Sequence, residues 1–352
     1  MGLRVYWGLE AQVRLAEIHK KASAQGEPFF PQDFRQSSVP DADNAAVPIK
    51  EAINQTDQMV RSDEPELDEW DPPAPRESEL PAIEAFIQKY RSGLNLVRTA
   101  RALHETSWNT TPSFSWRLQP HLWVNRKLAR ILILSAKLER ARGHDSRALE
   151  SVADELALTR VSDTSYPAVV THLVAAGMSS LGTTCICNSA MNLTISEHAD
   201  SGATPVQVRA LIKVLLDEQP LVDGAVRDFQ GERAVVIDSI PKFASLTGAA
   251  EWMMLEPIYE MDGIRIAKMR TAEAEGCRQV TWTAARRKFK HDRNYSGSNL
   301  EELAHTMSSA VGGPMDQAVQ QHFRMLTERR IAAIVLAIRL YQIDHKGALP
   351  ES

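Results

Sequence analysis

The chain has 352 residues, a net charge of −5 and three cysteines. That length can bury a large hydrophobic core without covalent cross-links, and three cysteines cannot form a disulfide framework. The negative charge disfavours a nucleic-acid partner, since such a partner usually needs a basic domain. Aromatic residues make up only 6% of the chain, a composition that favours helices over sheets.

Two helical patterns, separated by the break "GEPFFPQDF", predict an N-terminal helical hairpin over residues 1–62. An acidic, Pro-rich linker is predicted over residues 63–80, because prolines resist helix formation. Its acidic side chains are either a docking site for a basic partner or a solvated connector.

Helix follows helix over residues 81–352, the predicted helical-array domain, which ends in a long C-terminal helix. No alternating apolar and polar run with hairpin signals occurs anywhere in the chain. The predicted fold class is therefore all-α, an antiparallel array of about ten helices without significant sheet.

Two of these helices form a pair in the middle of the chain. "LQPHLWVNRKLARILILSAKLERARG" ends at Gly143, which suits the left-handed position after a helix, and Asp145 or Ser146 can cap the next helix. Helices joined by so short a loop lie antiparallel, and this pair resembles a tetratricopeptide-type pair. A regular solenoid needs about three pairs, and the sequence shows one.

Residues 164–196 contain no Asp, Glu, Lys or Arg. The run is long enough to span a bilayer, but it is rich in Ser, Thr and Asn and lacks flanking basic and aromatic belts. We therefore predict that residues 168–190 form a central helix buried on all sides, and no transmembrane span.

Further helix boundaries follow from caps and prolines. Thr204 and Pro205 predict the start of the helix "TPVQVRALIKVLLDE". Pro257 predicts a split of "EWMMLEPIYEMDGIRIAKMRTAEAEG" into two helices. Gly347 predicts the stop of the terminal helix, whose apolar run over residues 331–338 is expected to be buried. The stretch over residues 82–105 is predicted to be one helix.

The common catalytic signatures are missing from the sequence. It contains no phosphate-binding loop, dinucleotide fingerprint, H-E-x-x-H, EF-hand loop or nucleophile elbow. Cys185 and Cys187 would point apart on a helix, so buried, inert thiols are expected there. Glu232 and Arg233 are either members of interhelical ion pairs or, for Glu232, a catalytic acid without an identified partner. No catalytic residue, cofactor or metal is predicted.

The weak binding candidates are His172, Arg286, Arg287, Lys288 and Lys290. His172 lies in the uncharged helix, where it either lines a polar pocket or is a hydrogen-bonded core histidine. The four basic residues belong to the segment 278–293. This segment is either a patch for phosphate or anionic lipid or a solvated loop that balances the acidic linker.

Several stretches resemble an uncharacterised bacterial family of large helical proteins: "GEPFFPQDF", "PHLWVNRKLARILILSAKLERARGHDSRALE", "FQGERA" and the ending. The resemblance implies no activity, and members of that family often begin with a membrane anchor. "AIRLYQIDHKGALP" resembles the helix-to-head junction of type II secretion pseudopilins. The matching residues are Ala337, Leu340, Tyr341, Asp344, Gly347 and Pro350. The resemblance implies a C-terminal module downstream, which we expect to be missing here.

Three functional hypotheses follow. The first is a non-catalytic helical scaffold that binds another protein through grooves between helix pairs. The alternative is a small-molecule or lipid binder with a cavity around helix 168–190. The third is an enzyme with an unrecognised site. Nucleic acid is not an expected partner, and a cytoplasmic and an envelope-associated location both stay open.

Overall fold

The computed structural model describes residues 2–62, 75–112, 120–196, 202–243, 249–290 and 315–349. Its helices are α1 (Gly2–Ala24), α2 (Ala46–Ser62), α3 (Leu80–Lys89), α4 (Arg91–Arg101), α5 (Pro120–Ala141), α6 (Asp145–Asp163), α7 (Val169–Ser189), α8 (Pro205–Leu216), α9 (Gln219–Phe243), α10 (Ala249–Cys277), α11 (Trp282–Lys290) and α12 (Met315–Asp344). Only two isolated β-bridges, and no strand, occur within these ranges. The predicted all-α fold and the long C-terminal helix are confirmed.

Helix α7 lies at the centre of the fold and packs against α5, α6, α9 and α12. The small residues Ala175, Ala176 and Gly182 are among its buried positions, and they let the neighbouring helices approach closely. By length and composition Val169–Asn192 could cross a membrane, but 56% of its apolar window is buried inside the fold. This burial fits a helix of the core.

The prediction that this helix is buried on all sides is wrong. Five of its residues are exposed: Val170, Leu173, Gly177, Thr184 and Asn188. Most of their spacings are three or four residues, so they form one stripe along the helix. Polar residues occur on the buried face too, for example His172 and Ser179. The amino-acid composition of α7 alone therefore does not show which face of the helix is exposed to solvent.

The pair α5–α6 forms as predicted, with Gly143 at φ +78° and the His144 N–H donating to the Glu139 carbonyl at 2.8 Å. The predicted cap at Asp145 or Ser146 is wrong, because α6 begins after His144. The Asp145 carboxylate instead accepts a hydrogen bond from the Thr194 N–H at 2.7 Å. This bond ties the α6 start to the loop after α7.

Other helix boundaries agree with the sequence prediction. Thr204 caps α8, where its hydroxyl accepts from the Gln207 N–H at 3.2 Å. Gly347 has φ +90° after α12, as expected for a helix stop. The run over residues 331–338 is only half buried, since Ile331 and Ile334 are exposed while Leu336 is buried.

Two predictions of helix continuity are wrong. Residues 82–105 form two helices that meet at Tyr90, a fully buried residue with φ −98° and ψ 0°. Neither a glycine nor a proline lies at this break. The buried Tyr90 ring packs there against the Phe86 ring, with 5.2 Å between the ring centroids. Conversely, α10 continues through Pro257. The hydrogen bond lost there is offset by packing of α10 along α9 and α1.

The two helices of the predicted N-terminal hairpin pack on different partners. Helix α1 lies against α10, whereas α2 lies against α4 and α5. Both helices therefore contact the region predicted as the array domain. Most of the predicted linker, residues 63–74, lies outside the described residues.

Gly231→Ala should lower the free energy of unfolding by about 3 kcal/mol, the upper part of the usual cost of overpacking. A Cβ at Gly231 would lie 1.9 Å from the backbone oxygen of Pro167, and a backbone atom cannot swing aside. Chemical denaturation followed by circular dichroism measures the change.

Gly177→Ala is the matched control, because a Cβ there meets nothing within 4 Å. It should stabilise the chain by about 0.5–1 kcal/mol through helix propensity. Equal effects of the two substitutions would contradict the close contact between α9 and the loop before α7.

Candidate functional site

A groove of about 670 Å³ lies beside the exposed stripe of α7, between α7 and α5. Helix α5 contributes two cations, Lys137 and Arg140, which lie one turn apart. The polar residues that line the groove are Ser180, Thr184, Asn188, Ser189 and Asn192. Its apolar surface comes from Ile133, Leu181, Ala141, Cys185 and Pro75.

Helical spacing explains how these residues come together. Ile133, Lys137 and Arg140 are four and three residues apart on α5, so they share one face. Ser180, Thr184 and Asn188 share a face of α7 for the same reason. Since α5 and α7 pack side by side, the two faces form the walls of one groove.

The groove has a positive wall and a neutral polar wall. Among the described residues, Arg140 has one loose ion pair, with 3.9 Å between its Nη1 and Asp145 Oδ1. Burial raises the pKa of the Cys185 thiol to about 11, although Lys137 and Arg140 act in the opposite direction. The thiol therefore stays protonated near neutral pH, and it is no nucleophile.

A second polar group lies at the other end of α7, inside the core. His172 Nδ1 is 2.9 Å from Asp163 Oδ1, and His172 Nε2 is 3.0 Å from Nδ1 of His322. The His172 N–H also donates to Asp228 Oδ2 at 3.1 Å. Burial lowers the pKa of His322 well below its ordinary value, so this imidazole is neutral. His172 is thus a hydrogen-bonded core histidine and does not line the groove.

Glu232 and Arg233 serve separate contacts. The Val169 N–H donates to Glu232 Oε1 at 3.2 Å, so Glu232 caps the start of α7 from α9. Arg233 lies 3.4 Å from a Glu27 carboxylate oxygen and donates to the Pro28 carbonyl at 2.7 Å. The ion pair of Arg233 therefore connects α9 with the loop after α1 and is not interhelical, so that interpretation of the sequence is wrong in its partner.

The basic candidates belong to α11, so this part of the predicted solvated loop is helical as far as residue 290. The helix docks through buried Ala285 and through Trp282, whose ring centroid is 6.1 Å from that of Phe323. Arg286, Arg287 and Lys288 are exposed. The side chain of Lys290 and residues 291–293 lie outside the described residues.

Arg286, Arg287, Lys288 and His172 do not line the groove. The residues that sequence reasoning missed are Lys137 and Arg140. Their spacing is visible in the sequence, but it looks like the ordinary charged face of a surface helix.

No family model, no curated protein and no solved structure matches this chain. The resemblances to a bacterial helical family and to the pseudopilin junction therefore stay predictions. Any conclusion about function rests on the geometry of the groove and of the core.

Proposed function

We propose that the chain is a small-molecule-binding protein whose groove between α5 and α7 holds an anionic amphiphile. The observation that supports this most is the pair of cations, Lys137 and Arg140, facing a row of hydroxyl and amide groups across an apolar surface. This proposal takes up the alternative hypothesis from the sequence, a binder with a cavity around helix 168–190.

The two cations favour a carboxylate or phosphate head group. Arg140 offers a planar fork that matches two oxygens of such a group, and Lys137 adds a compact charge one turn away. Thr184 and Asn188 supply hydroxyl and amide groups that donate or accept further hydrogen bonds. Hydrogen bonds to charged groups contribute about 1.5–3 kcal/mol each, enough to orient a small ligand.

The apolar surface favours an aliphatic or aromatic tail. Ile133 and Leu181 lie on opposite walls. Ile133 is already buried at 5% exposure, so a tail between them would mainly cover the part of Leu181 that still meets water. The volume of about 670 Å³ lies within the range of ordinary ligand pockets. A head group of one or two negative charges with a tail of a few carbons would fit these dimensions.

The lining favours binding over catalysis. Ser189 Oγ donates to the Cys185 carbonyl at 2.7 Å, so this hydroxyl is engaged with its own helix. The Ser180 hydroxyl donates to Glu328, and Glu328 accepts from Arg324 at 2.8 Å. No histidine lines the groove among the described residues, so neither serine has an imidazole base.

The test is calorimetric titration with octyl phosphate, octanoate and octanol. We expect saturable binding of the two anions and at least tenfold weaker binding of octanol. Lys137→Met with Arg140→Met keeps unbranched side chains and removes both charges, so anion binding should weaken at least tenfold, about 1.4 kcal/mol.

Arg147→Met is the matched control. It removes an exposed cation from α6 outside the groove, and it should leave the affinity for octyl phosphate unchanged. If Arg147→Met and the double variant lose equal affinity for octyl phosphate, the net charge of the protein attracts the ligand and the groove does not.

The scaffold role predicted from the sequence remains a second candidate. Ile331 and Ile334 lie one turn apart on α12 and are exposed at 47% and 56%. A partner helix would contact this pair first. Ile334→Glu should then abolish a complex that native mass spectrometry detects, while the groove variants should leave that complex intact.

A further inference from the structure

The core group beside α7 brings together side chains from four helices. Asp163 is the last residue of α6, His172 lies in the first turn of α7, Asp228 lies on α9 and His322 lies on α12. All four are buried, with exposures of 2%, 2%, 0% and 0%. They lie outside the groove and take no part in the proposed ligand binding.

Two carboxylate oxygens of this group have no hydrogen-bond partner. They are Asp163 Oδ2 and Asp228 Oδ1, and both are buried. Buried polar atoms are almost always paired, and an unpaired atom calls for an explanation such as an ion. One donor atom from each of Asp163, His172 and Asp228 lies within 4.8 Å of the others.

The backbone of α9 makes room for this group. A Cβ at Gly224 would lie 2.3 Å from Asp163 Oδ2. Gly224 is one turn before Asp228, so both residues lie on the face of α9 that meets Asp163. Glycine thus lets the Asp163 carboxylate lie directly against α9, close to the second carboxylate.

We propose that Asp163, His172 and Asp228 bind one divalent first-row transition-metal ion inside the core. The ion would bond to one oxygen of each carboxylate and to His172 Nδ1. Bonds of about 2.0–2.2 Å place two ligand atoms at most about 4.4 Å apart. Small side-chain shifts therefore suffice to close the site.

The charges of the group fit this occupant. The Asp163 and Glu232 carboxyl groups add negative charge beside Asp228, and the Arg227 guanidinium, which also donates to the Thr164 carbonyl at 3.2 Å, adds positive charge. A divalent ion neutralises both carboxylates. Oxygen and imidazole ligands together suit Mn²⁺, Fe²⁺, Co²⁺ or Zn²⁺.

His322 has a positioning role in this arrangement. When His172 Nδ1 binds the ion, its proton is on Nε2, and Nε2–H donates to Nδ1 of His322. Such a hydrogen bond from the second ring nitrogen orients a ligating histidine and raises its basicity. The ion and His322 together would hold α6, α7, α9 and α12 at one point.

The competing arrangement is metal-free. The His172 ring proton is then on Nδ1, and this N–H donates to Asp163 Oδ1. His172 Nε2 accepts a hydrogen bond from the Nδ1–H of His322. Burial and the nearby Asp163 charge raise the pKa of Asp228 well above its ordinary value, which favours the protonated form of Asp228. The two arrangements differ in metal content and in which His172 nitrogen carries the proton.

The first experiment measures metal content on the full chain. The protein is refolded from denaturant with excess Zn²⁺, because a core site forms together with the fold, and is then desalted. We expect one Zn²⁺ per chain by elemental mass spectrometry. Asp228→Asn keeps the side-chain shape and should weaken Zn²⁺ binding at least roughly 100-fold. Glu155→Gln, which alters a fully buried acid outside the group, should leave it unchanged.

The second experiment needs no variant. Titration of the refolded wild-type chain with Co²⁺ should produce visible absorption bands that saturate at one equivalent, and the nitrogen-15 spectrum of the Zn²⁺ form should show the His172 proton on Nε2. Absence of stoichiometric metal or of the Co²⁺ bands would overturn the proposal. Equal Zn²⁺ binding by wild type and by a folded Asp228→Asn variant would overturn it too.

Discussion

The variant Ala176→Arg is expected not to fold. Ala176 is 6% exposed and packs in a cluster with Leu221, Met325 and Leu326. An arginine there would bury a charge without a partner among aliphatic side chains, at a cost of several kcal/mol. Typical domains are stable by only about 5–15 kcal/mol, so this single change removes most or all of the stability.

Gly177→Arg is the matched control, because the next position on α7 faces solvent and a Cβ there has open space around it. We expect the wild-type circular dichroism spectrum and a cooperative thermal transition for Gly177→Arg. For Ala176→Arg we expect an insoluble product or loss of that transition. A folded Ala176→Arg chain would show that α7 is not the centre of the core.

Glu155→Gln is expected to stabilise the chain at high pH by about 5 kcal/mol. Burial raises the pKa of Glu155 from 4.5 to about 8, and Thr159 donates to its Oε1 at 2.8 Å. The folded state then binds a proton that the unfolded state releases above pH 4.5. The free energy of unfolding therefore falls between about pH 4.5 and 8, by about 1.4 kcal/mol for each unit of the shift.

Denaturation with urea at pH 5 and at pH 8.5 measures this effect. The difference in the free energy of unfolding between the two pH values should be about 4 kcal/mol smaller in Glu155→Gln than in wild type, because the first part of the fall lies below pH 5. Glu150→Gln, which alters a partly exposed glutamate of the same helix, should retain the wild-type fall. If Glu155→Gln shows the same fall as wild type, another group causes the fall and the prediction for Glu155 is wrong. If the wild type shows no fall, Arg329 of α12, whose charge favours ionised Glu155, balances the cost of burial.

The sequence predicted the helices where local signals were strong. The cap at Thr204 and the stop at Gly347 were correct because their side-chain chemistry acts within a few residues. The break at Tyr90 was missed because no local breaker marks it in the sequence. The Tyr90 ring is buried by tertiary packing, which the local pattern does not show. The predicted split at Pro257 was wrong although proline is a strong local breaker. Packing along α10 offsets the one backbone hydrogen bond that the proline removes.

The candidate sites were harder to predict than the fold. The prediction of a cavity around helix 168–190 depended on its small residues, but the cations that face it come from α5. Lys137 and Arg140 become a recognition pair only once α5 and α7 are known to be neighbours. His172 and His322 are 150 residues apart, and no motif connects them with Asp163 or Asp228. Such sites follow from the packing of helices, which the sequence pattern does not specify.

Nuclear Overhauser effects to the bound ligand show whether the groove between α5 and α7 holds an anionic amphiphile. The measurement uses methyl-labelled wild-type protein saturated with octyl phosphate. We expect intermolecular contacts from the octyl chain to the methyl groups of Ile133 and Leu181, which lie on the two walls. Contacts to methyl groups outside the groove, or none at a ligand concentration that saturates calorimetric binding, would contradict it.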